Sequence, residues 1–425
     1  MKERKDILNI SLILVIKCRL QQGGSMKMRK KKIFIALMVF LAFLGSSNSH
    51  QEQCTSAVVS IHASSEGAPI LWKNRDTGVL SNKVVYVEDK PFSYLALVNA
   101  STPSGREAYA GLNSTGFAIM NTVAYNLPKK SGEAEDHEGI IMADALRTCR
   151  SVQDFEAYIE ANLGPDLGSW ANYGVIDSLG NACIFEIHNH GYEKIDASSA
   201  AEKYLVNTNY SRSGTIGKGA GYLRFERASQ LFHGLQGKDI DFQDILSHFT
   251  RDIGHVLLKH PSMDDLKKIP SNKNIWIFTR DCINRPSTAS AVVITGKTPS
   301  QPESLATMWV IPGEPLCAIA LPLWVEAGTS PEKLWAGDEA PMWQESLRIK
   351  NIIRPFKEGN KEDYINLIRL DNSEGTGFLP QILQAEKEII KTTRAFLKDP
   401  HSPEELADFQ EKMTEKAFLT LKSIH

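Results

Sequence analysis

The 425-residue sequence has no excess of either charge: 48 lysines and arginines stand against 50 aspartates and glutamates, for a formal net charge of -2. That balance offers no electrostatic reason for a nucleic-acid partner, and none is expected. Cysteine is scarce. The six residues Cys18, Cys54, Cys149, Cys183, Cys282 and Cys317 include no CxxC pair, so neither a zinc ribbon nor a dense disulfide scaffold is indicated. Cys149, Cys183, Cys282 and Cys317 read as small buried apolar residues, with one incidental disulfide as the alternative. No P-loop, GxGxxG fingerprint or HExxH occurs, so the sequence gives no grounds for a nucleotide or metalloprotease site, and no cofactor or metal is expected. His188 and His190, with no further ligands at compatible spacing, read as surface loop histidines. Also missing are a repeat, a low-complexity tract and an apolar run of the ~20 residues that span a bilayer.

What is present starts with an export signature. Basic residues 29–32 lead into an apolar run from Ile33 to Gly45, followed by Ser46-Ser47-Asn48-Ser49. This is the basic, apolar and small-residue order of a signal peptide. The protein is therefore expected to be exported, periplasmic or secreted, with no stable membrane span once the signal is removed. Residues 1–53 read as signal peptide and propeptide. Met26 or Met28 would be a natural start, which makes residues 1–25 a start-site artefact on this reading. If the segment through Gln53 is lost, Cys54 carries a thiol and a free α-amine. An α-amine titrates near ~8 and a thiol near ~8.5, so the amine is a usable base beside its own nucleophile. A lipidated Cys54 is the alternative, but Glu52-Gln53 does not supply the small and aliphatic residues of a lipobox.

From Cys54 onward, short alternating runs predict strands. Cys54–His62 and Leu71–Asp76 flank a turn-rich piece and form a hairpin. Further strands are expected at 83–87, 94–98, 108–122 (with a turn at Asn113 to Gly116), 170–177, 182–187, 204–206, 275–278, 290–294, 306–310 and 317–320. Helical patterns cover 136–163, 223–235, 386–397 and 404–424. Strand hairpins with grouped helices indicate an α+β layered domain. A catalytic domain over 54–345 is expected, with a C-terminal helical extension over 346–425 packed on it.

Several ordered pieces resemble the choloylglycine hydrolase and penicillin acyltransferase-like branch of the N-terminal nucleophile (Ntn) hydrolases. They are Cys54-Thr55, Lys73-Asn74-Arg75-Asp76, Gly111-Leu112-Asn113-x-x-Gly116 with Asn121 downstream, Thr208-Asn209, and Arg224-Phe225-Glu226-Arg227. The resemblance implies a four-layer αββα sandwich. Lys73 stands where the bile-salt enzymes have arginine, and Asn121-Thr122-Val123-Ala124 replaces their Asn-Phe-Pro-Gly. Both departures argue against bile-salt specificity and leave amide chemistry intact.

On this reading Cys54 attacks an amide carbonyl and forms a thioester. Asp76 would hold the α-amine and thiol in place. Asn121 and Asn209 would donate to an oxyanion, with Asn207 competing for the second role. Arg224 would stabilise the site, Arg227 being its rival, and Lys73 is a weaker candidate. The expected function is an exported cysteine Ntn amidohydrolase cleaving a linear non-peptide C–N amide in a small-molecule substrate. The alternatives are an acyltransferase and a non-catalytic exported lipoprotein. A single mature chain is expected, produced by autoproteolysis or by a peptidase, and a homo-oligomer is compatible with it.

Overall fold

Two apolar runs, Ala57-Val58-Val59 and Ile70-Leu71-Trp72, place the first hairpin at the centre of the molecule, where all six side chains are buried. The computed structural model describes residues 52–235, 237–301, 305–357 and 359–425. The signal segment and the start-site assignment lie outside the described residues. In chain order the strands are β1 (Gln53–Val59), β2 (Ile70–Asp76), β3 (Asn82–Val87), β4 (Tyr94–Asn99), β5 (Ala110–Asn113), β6 (Ala118–Val123), β7 (Trp170–Ile176) and β8 (Ala182–His188). They continue with β9 (Gly191–Asp196), β10 (Tyr204–Asn207), β11 (Trp276–Phe278), β12 (Thr288–Thr295), β13 (Thr307–Ile311), β14 (Leu321–Leu323) and β15 (Tyr364–Asn366). The principal helices are α1 (Glu138–Thr148), α2 (Val152–Asn162), α3 (Tyr222–His233), α4 (Phe242–Ser247), α5 (Pro341–Ile353), α6 (Leu379–Phe396) and α7 (Pro403–Lys422).

Six strands form one antiparallel sheet in the order β10-β1-β2-β12-β13-β14, and seven form a second in the order β3 through β9. The sheets face each other: Val58 of β1 lies so close to Gly174 of β7 that a Cβ there would sit 3.0 Å from Val58 Cγ1. One apolar core runs through this interface and on to the helices behind the first sheet. There Trp72 meets Phe232 and Phe249, with each pair of ring centroids 6.2 Å apart. A second core, with Phe155 and Leu146 among its members, fills the space between α1, α2 and the outer face of the second sheet. The layers are thus helix, sheet, sheet, helix, the αββα sandwich that was expected.

Local sequence explains the helix boundaries. The predicted 136–163 helix is two helices, because Ser151 caps α2 in a reciprocal box with Asp154. Pro403 and the Ser402–Glu405 box start α7 in the same way. One strand assignment is corrected. Residues 317–320 do not form a strand; a short 3-10 turn spans Pro315–Cys317, and β14 begins at Leu321. The 275–278 segment leaves both main sheets and pairs as β11 with β15. The C-terminal helices join the main core through Ile382, Ile389, Ile390 and Ala417, and α5 already begins at Pro341. Among the described residues no helix is long and apolar enough to cross a membrane.

Candidate active site

Cys54 is the second residue of β1, is 2% exposed, and lies directly opposite Arg75 of β2. Side chains alternate across a strand. Cys54 therefore shares the face toward the second sheet with Lys73 and Arg75, while Thr55, Asn74 and Asp76 turn toward the helices.

On the inter-sheet side, Lys73 Nζ donates to Asn121 Oδ1 at 2.8 Å and to the Tyr109 carbonyl at 2.8 Å. Burial holds the Lys73 ammonium below its usual range. The carbonyl end of Asn121 is thus occupied, and among the described residues its Nδ2 has no acceptor. Arg75 donates from Nη1 to Asn82 Oδ1 at 2.9 Å and from Nη2 to Glu52 Oε1 at 3.1 Å. Its guanidinium also lies 3.5 Å over the Tyr109 ring.

On the helix side Arg224 enters from the first turn of α3. Gly221, at φ +84, makes this approach possible, since a Cβ there would sit 2.7 Å from Arg224 Nη2 and 2.9 Å from Thr208. Arg224 donates to the Cys54 carbonyl at 2.5 Å, to Thr55 Oγ1 at 2.9 Å and to Asn209 Oδ1 at 2.8 Å. Burial pulls its pKa down to about 10. Asp76 accepts from Thr288 Oγ1 at 2.7 Å through Oδ1, while Oδ2 has no hydrogen bond and lies 3.9 Å from Arg224.

Asn209 Oδ1 accepts from the Cys54 N–H at 2.9 Å, and its Nδ2 donates to the Val123 carbonyl at 2.9 Å and more loosely to that of Glu52 at 3.5 Å. The two residues ahead of Cys54 are gripped as well. Tyr125 donates to the Glu52 carbonyl, and Arg285 donates to Gln53 Oε1 at 2.5 Å. Burial pushes the Cys54 thiol up, with the Lys73 charge opposing and the Glu52 and Asp76 carboxylates reinforcing the rise.

All six residues expected at the site converge here, with one difference. The Cys54 N–H is taken by Asn209, and the Asp76 carboxylate is turned to Thr288 and Arg224. Asn207 instead pairs with Arg212, and Arg227 is engaged by Asp252. Arg75, Tyr125, Arg285 and Thr288 were not anticipated. Arg75 was legible in principle, because two positions from Lys73 on a strand means the same face. Nothing in the sequence marked the other three. His190 sits on the surface against Glu133, and no cluster of metal-ligating side chains occurs among the described residues. Cys149, Cys183, Cys282 and Cys317 are buried and free.

Burial raises the Asp76 carboxyl to about 6, against the Arg285 and Arg224 charges that lower it. The folded chain thus keeps this proton up to a higher pH than the unfolded chain, whose aspartate titrates near ~4. Stability should fall as pH rises from about 4 to about 6, by about 3 kcal/mol from this group, and then level off. Asp76→Asn should remove that fall. Denaturant unfolding of both unprocessed chains across this range checks it, and parallel curves would refute the assignment.

The fold is an αββα sandwich, and its centre is a cysteine near the start of an inner strand, ringed by an aspartate, two asparagines, a lysine and arginines. No protein-family model matches the chain, and no curated protein matches it by sequence. Among solved structures it is similar to a variant of the conjugated bile acid hydrolase from Clostridium perfringens, at 11% identity over 60% of this chain and 88% of that one, with a TM-score of 0.36. It is also similar to the N-acylethanolamine-hydrolyzing acid amidase ortholog of Caenorhabditis elegans, at 15% identity over 57% and 92% of the two chains, with a TM-score of 0.38. A third is penicillin V acylase from Agrobacterium tumefaciens, at 12% identity over 64% and 86%, with a TM-score of 0.38. Likeness at this level carries no functional argument, which rests instead on the site.

Proposed function

We propose that this chain is an exported cysteine amidohydrolase that acts on a linear non-peptide amide once Cys54 has become its first residue. The observation that carries the reading is the grip on Cys54. Its nitrogen is held by Asn209, its carbonyl by Arg224, and its side chain shares a sheet face with Lys73, whose ammonium in turn holds Asn121. With residues through Gln53 gone, that nitrogen is an α-amine. It takes the thiol proton, and the thiolate attacks the amide carbonyl carbon. Asn121 Nδ2 donates to the oxyanion, joined by the Asn209 Nδ2 hydrogen that Glu52 releases. The C–N bond breaks as the α-ammonium returns its proton to the leaving amine. Water, activated by the same amine, then hydrolyses the thioester. Lys73 lies where a fixed positive charge favours the thiolate.

The test is intact mass and N-terminal sequencing of the protein from an exporting host, followed by acyl-adduct mass spectrometry with a panel of N-acyl amides. A free N-terminal Cys54 that gains one acyl group and releases the acid is expected. Lipid on Cys54, or a chain beginning at His50, would sink the mechanism. An acyl-enzyme that yields product only when an amine is added would identify the acyltransferase instead.

A further inference from the structure

Arg75 is a fully buried cation whose one charged side-chain partner among the described residues belongs to the segment proposed to leave. Its side chain is 1% exposed, and Glu52 Oε1 is its carboxylate partner at 3.1 Å. The remaining contacts are neutral, Asn82 Oδ1 and the Tyr109 ring, and its Nε has no acceptor. Arg285, 6% exposed, likewise gives one donor to Gln53, and its Nε is unpartnered. Among the described residues, removing residues 52 and 53 would leave Asp76, 3.9 Å from Arg224, as the one carboxylate in ion-pair range of Lys73, Arg75, Arg224 and Arg285. Stranding a buried guanidinium in this way is strongly unfavourable unless another anion takes the place.

We infer that Glu52 is a placeholder, and that the substrate is an amide carrying a carboxylate, which Arg75 binds where Glu52 now sits. The inference rests on the proposed loss of the segment ahead of Cys54. Register places the carboxylate site beside the thiol, since Arg75 and Cys54 are directly opposed on one face, at the ~5 Å Cβ separation of such pairs. Glu52 lies on the acyl side of the Gln53–Cys54 bond, so the acyl half of the substrate is the favoured place for the charge. A guanidinium presents paired N–H donors that match a carboxylate and have no such match in a neutral amide.

The experiment compares matched substrates with the processed protein, its Cys54 terminus verified by mass. One pair is glutaryl and 4-carbamoylbutanoyl p-nitroanilide; the other is N-hexanoylglycine and N-hexanoylglycinamide. The acid member of at least one pair should show kcat/KM about tenfold or more above its neutral partner, as one charge-assisted contact provides. That ratio should collapse toward one in Arg75→Gln and fall partway in Arg75→Lys, which also serves if the glutamine variant does not fold. The responding pair shows which half carries the charge. Equal rates within both pairs, or a preference that survives both substitutions, would overturn the inference. If no amide is turned over, the amidohydrolase reading fails, and calorimetry with hexanoate and hexanamide decides the site alone. Arg75-dependent binding of hexanoate but not hexanamide upholds it, and equal or absent binding overturns it.

Discussion

Cys54→Ala is expected to fold as the parent does and to lose amide turnover by roughly 10⁴-fold or more, the scale on which removing a covalent nucleophile acts. Folding should survive because only one buried sulfur is lost, at a cost of about 1 kcal/mol, and the backbone contacts of Cys54 to Asn209 and Arg224 do not involve it. Cys54→Ser keeps the shape and the α-amine but offers a hydroxyl in place of the far more acidic thiol, so it too should fall steeply. Steady-state kcat/KM and a thermal midpoint on the same samples separate chemistry from stability. Residual turnover near the parent level in the alanine variant would exclude Cys54 as nucleophile.

The second large effect concerns stability. Arg251 is 2% exposed and Glu386, on α6, is 1% exposed at the side chain, and they pair through two contacts of 3.0 and 2.6 Å. Arg251 also donates to the carbonyls of Pro315, Leu246 and Ala318, and Glu386 accepts from Ser247 and the Ala320 N–H. Arg251→Met should cost about 3–5 kcal/mol, because it leaves a buried carboxylate without its cation. Arg251→Met combined with Glu386→Leu should recover a large part of that loss, since the apolar pair strands no charge. Denaturant midpoints at constant slope measure both. A single variant costing under 1 kcal/mol would show that the pair does not pin α6 to the sheets.

The same pair explains one failure of sequence reading. Cys317-Ala318-Ile319-Ala320 is a short apolar run, and short apolar runs are read as strands. Here the backbone of Pro315, Ala318 and Ala320 is spoken for by Arg251 and Glu386, both of them far away in sequence. Residues 275–278 were legible as a strand but not as a partner of Tyr364–Asn366, because pairing at that separation leaves no local trace. By contrast, the hairpins of β1–β2, β5–β6 and β7–β8 were legible, since each is written in adjacent alternating runs with turn residues between. Cys54, Lys73, Asp76, Asn121, Asn209 and Arg224, which the fold brings together, were legible as a candidate site from residue type and from the order of the resembling pieces. Arg75 is hidden inside the run Lys73-Asn74-Arg75-Asp76, which reads as one motif in sequence although the strand sends its members alternately to two faces. Tyr125, Arg285 and Thr288 owe their places to tertiary contacts alone.

The placement of β12 bears on how the molecule is made. Its pairing with β2 puts a strand from the later half of the chain beside the hairpin that carries Cys54, and it brings Thr288 to Asp76. During synthesis from the N-terminus, that hairpin emerges early but has no neighbour on its β2 side until residues 288–295 follow. Glu386 must arrive later still before Arg251 is neutralised. A growing chain halted anywhere before β12 therefore holds its cysteine without the Thr288 contact that fixes Asp76. Cys54 is thus among the first parts of the described chain to be made, while the contacts that frame it are among the last to be assembled.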